Sequence, residues 1–377
     1  RTNNLNLSNI LFYEILECIK IEVNSIFKKN FNQKFYEIII GSWLRKFIQQ
    51  FMLKFQNINQ IKNKFNIQNV TIYDTNNFNF YISEPKTIEN ATINNLWNSC
   101  IYSYILSKLN YNIELNLIEV PKKNFDDNNF LSWKTTGGNP KGFIKIIRNF
   151  LINLTNLLPN NSNNFMYDTG FSFLTEKKID LMFGQLPRVY PSKFKFNYSH
   201  FDKDLRKKFN FKKFVKVNNK NYDQYFTEIF NLIIQILDKS LPLTIVENFD
   251  YLIKFSEKLK FPKKPRAICT SYAFESNEPF KFYLAIKKFI NPKMKYFVYQ
   301  HGGSYITRID NNFYNECNTC DYFITWGDKT EITKKNNIKF FNFKFLNKKY
   351  FKNERLDEFL ILTRSMGYNT APYDRYS

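Results

Sequence analysis

Glycine and histidine are scarce in this 377-residue chain, with ten glycines and two histidines. Proline (twelve) and alanine are sparse too, whereas Lys, Asn, Ile, Phe and Tyr abound. The favoured residues share A/T-rich codons. Much of the composition therefore reflects codon usage and excludes few functions. The five cysteines, an odd number, do not make a disulfide framework in a chain of this size. A reducing, cytoplasmic setting is expected. No stretch reaches the ~18 consecutive apolar residues of a membrane-spanning helix. The first residue is Arg1, and no signal peptide precedes the first helical pattern, so a fragment or a processed start is expected.

What is present is a globular composition. Hydrophobic residues make up 44%, enough for a sizeable core in two or three domains and too many for a disordered chain. Acidic residues are outnumbered, 33 against 55 basic ones, for a net charge of +22. The lysines are spread along the chain and accompany no recognisable nucleic-acid-binding module, so no nucleic-acid partner is expected. A basic surface also suits nucleotide-sugars, anionic glycans or the inner face of a membrane.

The first third reads as helical. Ser8 is positioned to cap a helix to about Lys29, with Phe12, Ile15, Ile19, Val23 and Ile26 on one face. A second helix is expected from about Asn32 to Phe55, and a third from near Glu89 through Ile93, Trp97, Ile101 and Tyr104. "NVTIYD" (69–74) reads as a strand. "NFDDNNFLSWKTTGGNPKG" (124–142) is a polar loop, with Pro140 starting a helix to about Leu158. A basic, irregular stretch at 186–221 holds His200. Helices are then expected at 222–237 and 245–259.

After Pro265 strands and helices alternate. The strands are "RAICTSYAF" (266–274), "KYFVYQ" (295–300), "DYFITWG" (321–327) and "IKFFNF" (338–343). The helices are "EPFKFYLAIKKFI" (278–290), "NNFYNECNTC" (311–320) and "DKTEITKKN" (328–336). This alternation predicts an α/β fold with a doubly wound, Rossmann-like parallel sheet behind a largely helical N-terminal part. The expected organisation is 1–264, 265–350 and the start of a further domain at 351–377, with a strand at 358–363.

Ligands of such sheets bind beyond the carboxyl ends of the strands. His301-Gly302-Gly303 leaves the strand at 295–300 at that edge. The two glycines let the backbone approach a ligand and present N–H groups to an anion. The imidazole is a candidate general base, or a phosphate contact. Gln300, Ser304 and Tyr305 flank it as candidate substrate- or phosphate-binding residues. Glu316 is a candidate to orient His301 or bind a sugar hydroxyl. The plainer alternatives are a tight turn with a structural histidine and a solvated glutamate. Cys317-x-x-Cys320 lacks a second pair and ends a helix, so it reads as packing, and no metal site is expected. "GSWLRKF" (41–47) reads as core plus a surface arginine.

"YQHGGSY", the later Glu316 and "CDYFITWG" resemble a family of transferases encoded in bacterial O-antigen and surface-polysaccharide clusters. Its pattern is a strand ending Gln-His-Gly-Gly-x-Tyr-Gly, then a Glu, then an Ala-Asp-x-Phe/Leu-Thr-Trp-Gly strand. "GSWLRKF" is similar to its Gly-Pro-Trp-Leu-Arg/His helix, and "FKFYLAIKK" to its Phe-Lys-Phe-x-x-Ala helix. That family is similar to GT-B glycosyltransferases and, more distantly, to CDP-glycerol glycerophosphotransferases. The resemblance implies two Rossmann-like domains, with the acceptor on the first and the nucleotide donor mainly on the second, of which 351–377 would be the truncated start. It implies transfer of a sugar or polyol phosphate from a nucleotide-activated donor to a glycan or lipid-linked acceptor. It implies His301 as base or phosphate contact, Glu316 in support, and no metal or resident cofactor. The expected setting is cytoplasmic, with peripheral contact to the inner membrane face. Two positions depart from the pattern: Ile306 stands for its Gly and Ser42 for its Pro. A degenerate, inactive copy and a non-catalytic basic binding protein are the alternatives.

Overall fold

The computed structural model describes residues 2–109, 112–121, 150, 152–153, 155, 157, 160–191, 194, 199–216, 224–302, 311–327 and 337–341. The expected polar loop at 124–142 and the helix at 328–336 lie outside them. So do most of the helix expected at 141–158 and everything expected beyond residue 341.

Two long helices come first, α1 (Thr2–Phe27) and α2 (Gln33–Lys64). Ser8 does not cap α1. It lies inside the helix, buried, because the apolar stripe extends upstream to Leu7, which packs on the core. Asn32 caps α2 by accepting a hydrogen bond from the Phe35 amide. Asn24 closes the turn between the helices through both the N–H and the C=O of Phe31. α2 outruns its expected end at Phe55 because no Gly or Pro interrupts residues 42–64 and Ile58 continues the buried face.

The helix expected from Glu89 is two, α3 (Ile88–Ile93) and α4 (Asn95–Lys108). Asn94, in an extended conformation, breaks the run and caps the second by accepting from the Trp97 amide. Two short parallel strands, β1 (Asn69–Tyr73) and β2 (Glu114–Ile118), pair beside α4.

The main sheet contains β3 (Asn164–Met166), β4 (Ala267–Thr270), β5 (Lys295–Tyr299), β6 (Tyr322–Trp326) and β7 (Asn337–Phe340), all parallel. Between β3 and β4 lie α5 (Phe173–Met182), α6 (Lys203–Lys207), α7 (Gln224–Ser240) and α8 (Phe249–Lys258). The short α9 (Ala273–Ser276) and α10 (Glu278–Ile290) link β4 to β5, and α11 (Asn311–Thr319) links β5 to β6.

The parallel sheet agrees with the alternating pattern. A doubly wound sheet reverses its strand order at a switch point. The five described strands follow one another in chain order, β3-β4-β5-β6-β7. Right-handed crossovers then put successive linking helices on one face. Both α10 and α11 accordingly pack against α2.

Aromatic rings fill this layer. α10 faces β3 through Phe280 and Tyr283, each within 6.3 Å of the Phe165 ring. Its Phe282 turns towards α2 and α8, meeting Phe35 and Phe249. Such pairs add roughly 0.5–1.5 kcal/mol each beyond burial. One apolar cluster runs unbroken from Leu11 to Phe323 and ties the helical part to the sheet.

Candidate functional site

Four strand ends meet at the carboxyl edge of the sheet. After β3 the chain turns at Asp168, whose φ of 51° is left-handed, a conformation Asp tolerates better than most residues. Its carbonyl accepts from the amides of Ser271 (2.9 Å) and Tyr272 (3.2 Å), which follow β4. That turn ends β4 at Thr270, earlier than its apolar run suggested. Ser271 Oγ donates to the Tyr299 carbonyl at the end of β5. The Tyr272 hydroxyl donates to the His301 carbonyl at 3.5 Å. After β6, Gly327 takes φ 103° as the chain leaves the sheet, a conformation L side chains rarely adopt.

His301 and Gly302 stand at this edge, as expected. The imidazole is half-buried, 5.0 Å from the Tyr272 ring and 5.8 Å from the Phe274 ring. Gln300 lies in the same place with a different task. It is 2% exposed, and both ends of its amide are engaged within the protein. Nε2 donates to the Gly302 carbonyl and Oε1 accepts from the Trp326 amide, each at 2.7 Å. Gln300 thus pins the His-Gly turn to β6 and acts as a positioning residue. Gly303, Ser304, Tyr305 and Ile306 lie outside the described residues.

Glu275, which follows Phe274 in the chain, belongs to a charged cluster that the linear sequence concealed. Lys46 of α2, 4% exposed, donates to Glu89 (2.8 Å) and Glu275 (3.0 Å). Lys86 donates to the same two carboxylates, at 3.0 Å each. Burial alone would raise the Glu275 carboxyl, but the two ammonium groups outweigh it and hold the group well below the usual carboxylate range. Nearby, Glu278 and Lys281 form a fully buried ion pair at the start of α10.

Arg45 corrects the reading of "GSWLRKF" as core plus a surface arginine. Its side chain is 1% exposed because α2 is covered by α1, α10 and α11. The guanidinium lies 3.7 Å over the Phe12 ring, and Nη1 donates to Asn9 Oδ1 at 2.7 Å. Burial lowers its pKa, while the neighbouring Tyr13 and Glu37 favour its charge. Glu316 is buried as well and joins Arg45 and Phe274 in walling a small cavity. Phe274 therefore belongs to two neighbourhoods, that of His301 and that of Glu316.

The remaining candidates are quieter. Cys317 and Cys320 are buried free thiols, and burial pushes Cys320 up to about 12. Thiols so disfavoured as thiolates are poor nucleophiles and poor ligands. Among the described residues, no group of three or more His, Cys, Asp and Glu could hold a metal ion. His200 is exposed. Among the described residues, no helix is long and apolar enough to cross a membrane.

Arg45 and Lys46 of α2, Glu275 of α9 and Asp168 after β3 escaped the sequence reading because three separate parts of the chain supply them. Only the tripeptide Asp168-Thr169-Gly170, a turn signal, could have drawn attention to the end of β3. Searches of curated proteins and of solved structures found no match. A family model described as LIC12162 family transferase matches residues 2–377. With nearly its whole length matched and a His-Gly turn at the carboxyl edge of a parallel sheet, the chain belongs to the LIC12162 family of transferases.

Proposed function

We propose that the chain transfers a sugar, or a polyol phosphate, from a nucleotide-activated donor to a surface-glycan acceptor, in the manner of GT-B glycosyltransferases. The observation that carries this reading is the placement of His301-Gly302 at the carboxyl edge of the sheet, held there by Tyr272 and Gln300. An acceptor hydroxyl would approach His301. Its oxygen forms the new bond to the donor's anomeric carbon or phosphorus, and His301 takes its proton. The bond to the nucleotide breaks, and the nucleotide phosphate leaves with the electron pair. Amides of Gly302 and Gly303 would hold that phosphate, a role suited to a glycine pair at a strand exit. Glu316 would accept from a hydroxyl of the transferred group.

This chemistry draws on backbone dipoles and side chains, so the proposal includes neither a metal nor a resident cofactor. The acceptor would be a glycan or a lipid-linked saccharide, reached in the cytoplasm at the inner membrane face. The +22 charge would favour anionic headgroups there. No nucleic acid is involved in this reading.

The test is calorimetry of the full-length gene product with the CMP, CDP, UDP, GDP and dTDP forms of nucleotide and nucleotide-sugar. Selective binding supports the proposal. His301→Ala should then weaken binding if the imidazole contacts phosphate, or slow transfer about 10²–10⁴-fold if it is the base. A folded protein that binds no nucleotide sinks the proposal. The net charge favours a second reading, a non-catalytic binder of anionic glycan or membrane. It predicts affinity that falls steeply with salt and ignores His301.

A further inference from the structure

We propose that the cavity between Arg45 and Asn315 is a subsite for a single hydroxyl group of the sugar or polyol handled at the neighbouring His301. The inference rests on the transferase reading above and adds the chemistry of one of its contacts.

Two of the residues that line this cavity, Arg45 and Asn315, carry buried polar atoms with no hydrogen-bond partner. The Arg45 guanidinium has its face on Phe12 and its Nη1 on Asn9. Its Nε and Nη2 are buried and have no acceptor. Tyr13 and Glu37 stand beside the group and favour its charge, Tyr13 as a hydrogen-bonding neighbour, yet Nε and Nη2 stay without an acceptor at normal hydrogen-bond distance. Across the cavity Asn315 Oδ1 is buried and has no donor. A buried polar atom without a partner is costly, and such atoms concentrate where a ligand or an ordered water completes the set. Gly41 makes room for this arrangement: a Cβ there would overlap Asn315 Oδ1.

Size and charge narrow the occupant. The cavity measures about 20 Å³. One water-sized oxygen needs roughly 10–15 Å³, so a single oxygen fits and a phosphate group does not. An anion would satisfy Arg45 but would face Asn315 Oδ1 and the Glu316 carboxylate on the other wall. The Lys46 ammonium cannot offset them, because it is held by Glu89 and Glu275. A hydroxyl meets both walls: its oxygen accepts from Arg45 and its proton is donated to Asn315 or Glu316. Phe274 forms another wall and lies 5.8 Å, ring to ring, from His301. A molecule with one hydroxyl in the cavity thus runs past Phe274 towards the imidazole.

The test is saturation-transfer NMR on the full chain with glycerol, ribitol, glucose, galactose, mannose and N-acetylglucosamine. Nucleotide calorimetry runs in parallel. The wild-type protein is expected to bind at least one of these probes. Arg45→Lys and Asn315→Leu should weaken that probe tenfold or more and leave nucleotide affinity within twofold. Asn315→Leu has a similar volume and removes the oxygen that would take the hydroxyl's proton, so it remains decisive should Arg45→Lys fail to fold. Three results would each overturn the proposal: no probe bound by the wild type, an Asn315→Leu variant that binds as the wild type does, or loss of probe and nucleotide together. Failure of the transferase reading shows separately, as absent nucleotide binding.

Discussion

The Glu278–Lys281 pair yields opposite pH signatures when either partner is removed. Both side chains are fully buried, three residues apart in the first turn of α10. Glu278 Oε2 has no hydrogen-bond partner. Burial pushes the Glu278 carboxyl up to about 7 against the pull of Lys281, with Glu84 adding to the rise. Glu278→Gln leaves a buried ammonium. That group can always shed its proton, which caps the penalty at pH 7 at about 4.6 kcal/mol, about 1.4 for each pH unit below the ordinary lysine value. Lys281→Met leaves a buried carboxylate, whose penalty at pH 7 is capped by protonation at about 3.7 kcal/mol. Between pH 7 and 9 the unfolded lysine of Glu278→Gln holds a proton that the folded one has lost, so stability rises with pH. In Lys281→Met the folded carboxyl holds the proton that the unfolded one has lost, so stability falls. Each slope approaches about 1.4 kcal/mol per pH unit. The double variant Glu278→Gln/Lys281→Met should be flat over this range and cost less than either single change, because no lone charge remains. Urea denaturation at pH 7, 8 and 9 reads all three. Two single variants with the same slope, or with none, would refute the assignment of a buried charge pair.

Gly41→Ala sets a helix gain of about 1 kcal/mol against an overpacking cost of about 1–3 kcal/mol at Asn315. The expected result is a net loss of up to about 2 kcal/mol in a thermal melt, with weaker probe binding; a gain would mean that Asn315 yields freely. Gln300→Leu strips partners from the Trp326 amide and the Gly302 carbonyl, a cost of about 2–4 kcal/mol. Hydrogen exchange at the Trp326 amide should accelerate well beyond the global loss of stability, and unchanged protection would argue against the pinning role.

Some elements were legible residue by residue. α10 runs from Glu278 to Ile290, the bounds its sequence suggests. Asn277 caps it, Pro279 favours its first turn, and its apolar residues recur at helical spacing, so every local signal agrees. β5, β6 and β7 also fall within a few residues of their apolar runs. β3 did not, because three residues carry no period and the strand exists only through pairing with β4. The order of the described strands was not legible for a similar reason: it is a fact of pairing, which alternation alone does not specify.

The site divides in the same way. His301 and Gly302 were visible because a scarce histidine and a scarce glycine stand together at a strand exit. Arg45 and Lys46 were not. On hydropathy each belongs in water, and only the packing of α1, α10 and α11 around α2 takes it away. Their partners are 36 to 229 positions away, at Asn9, Glu89 and Glu275, with no spacing that links them. The sequence by itself determined the family, the helices and strands with strong periods, and the place where the chain leaves β5. Tertiary structure alone decided which charges are buried, what pairs with them and which polar atoms are left facing the cavity. The physical reason is that burial and pairing energies belong to neighbours in space, whereas periodicity records only neighbours along the chain.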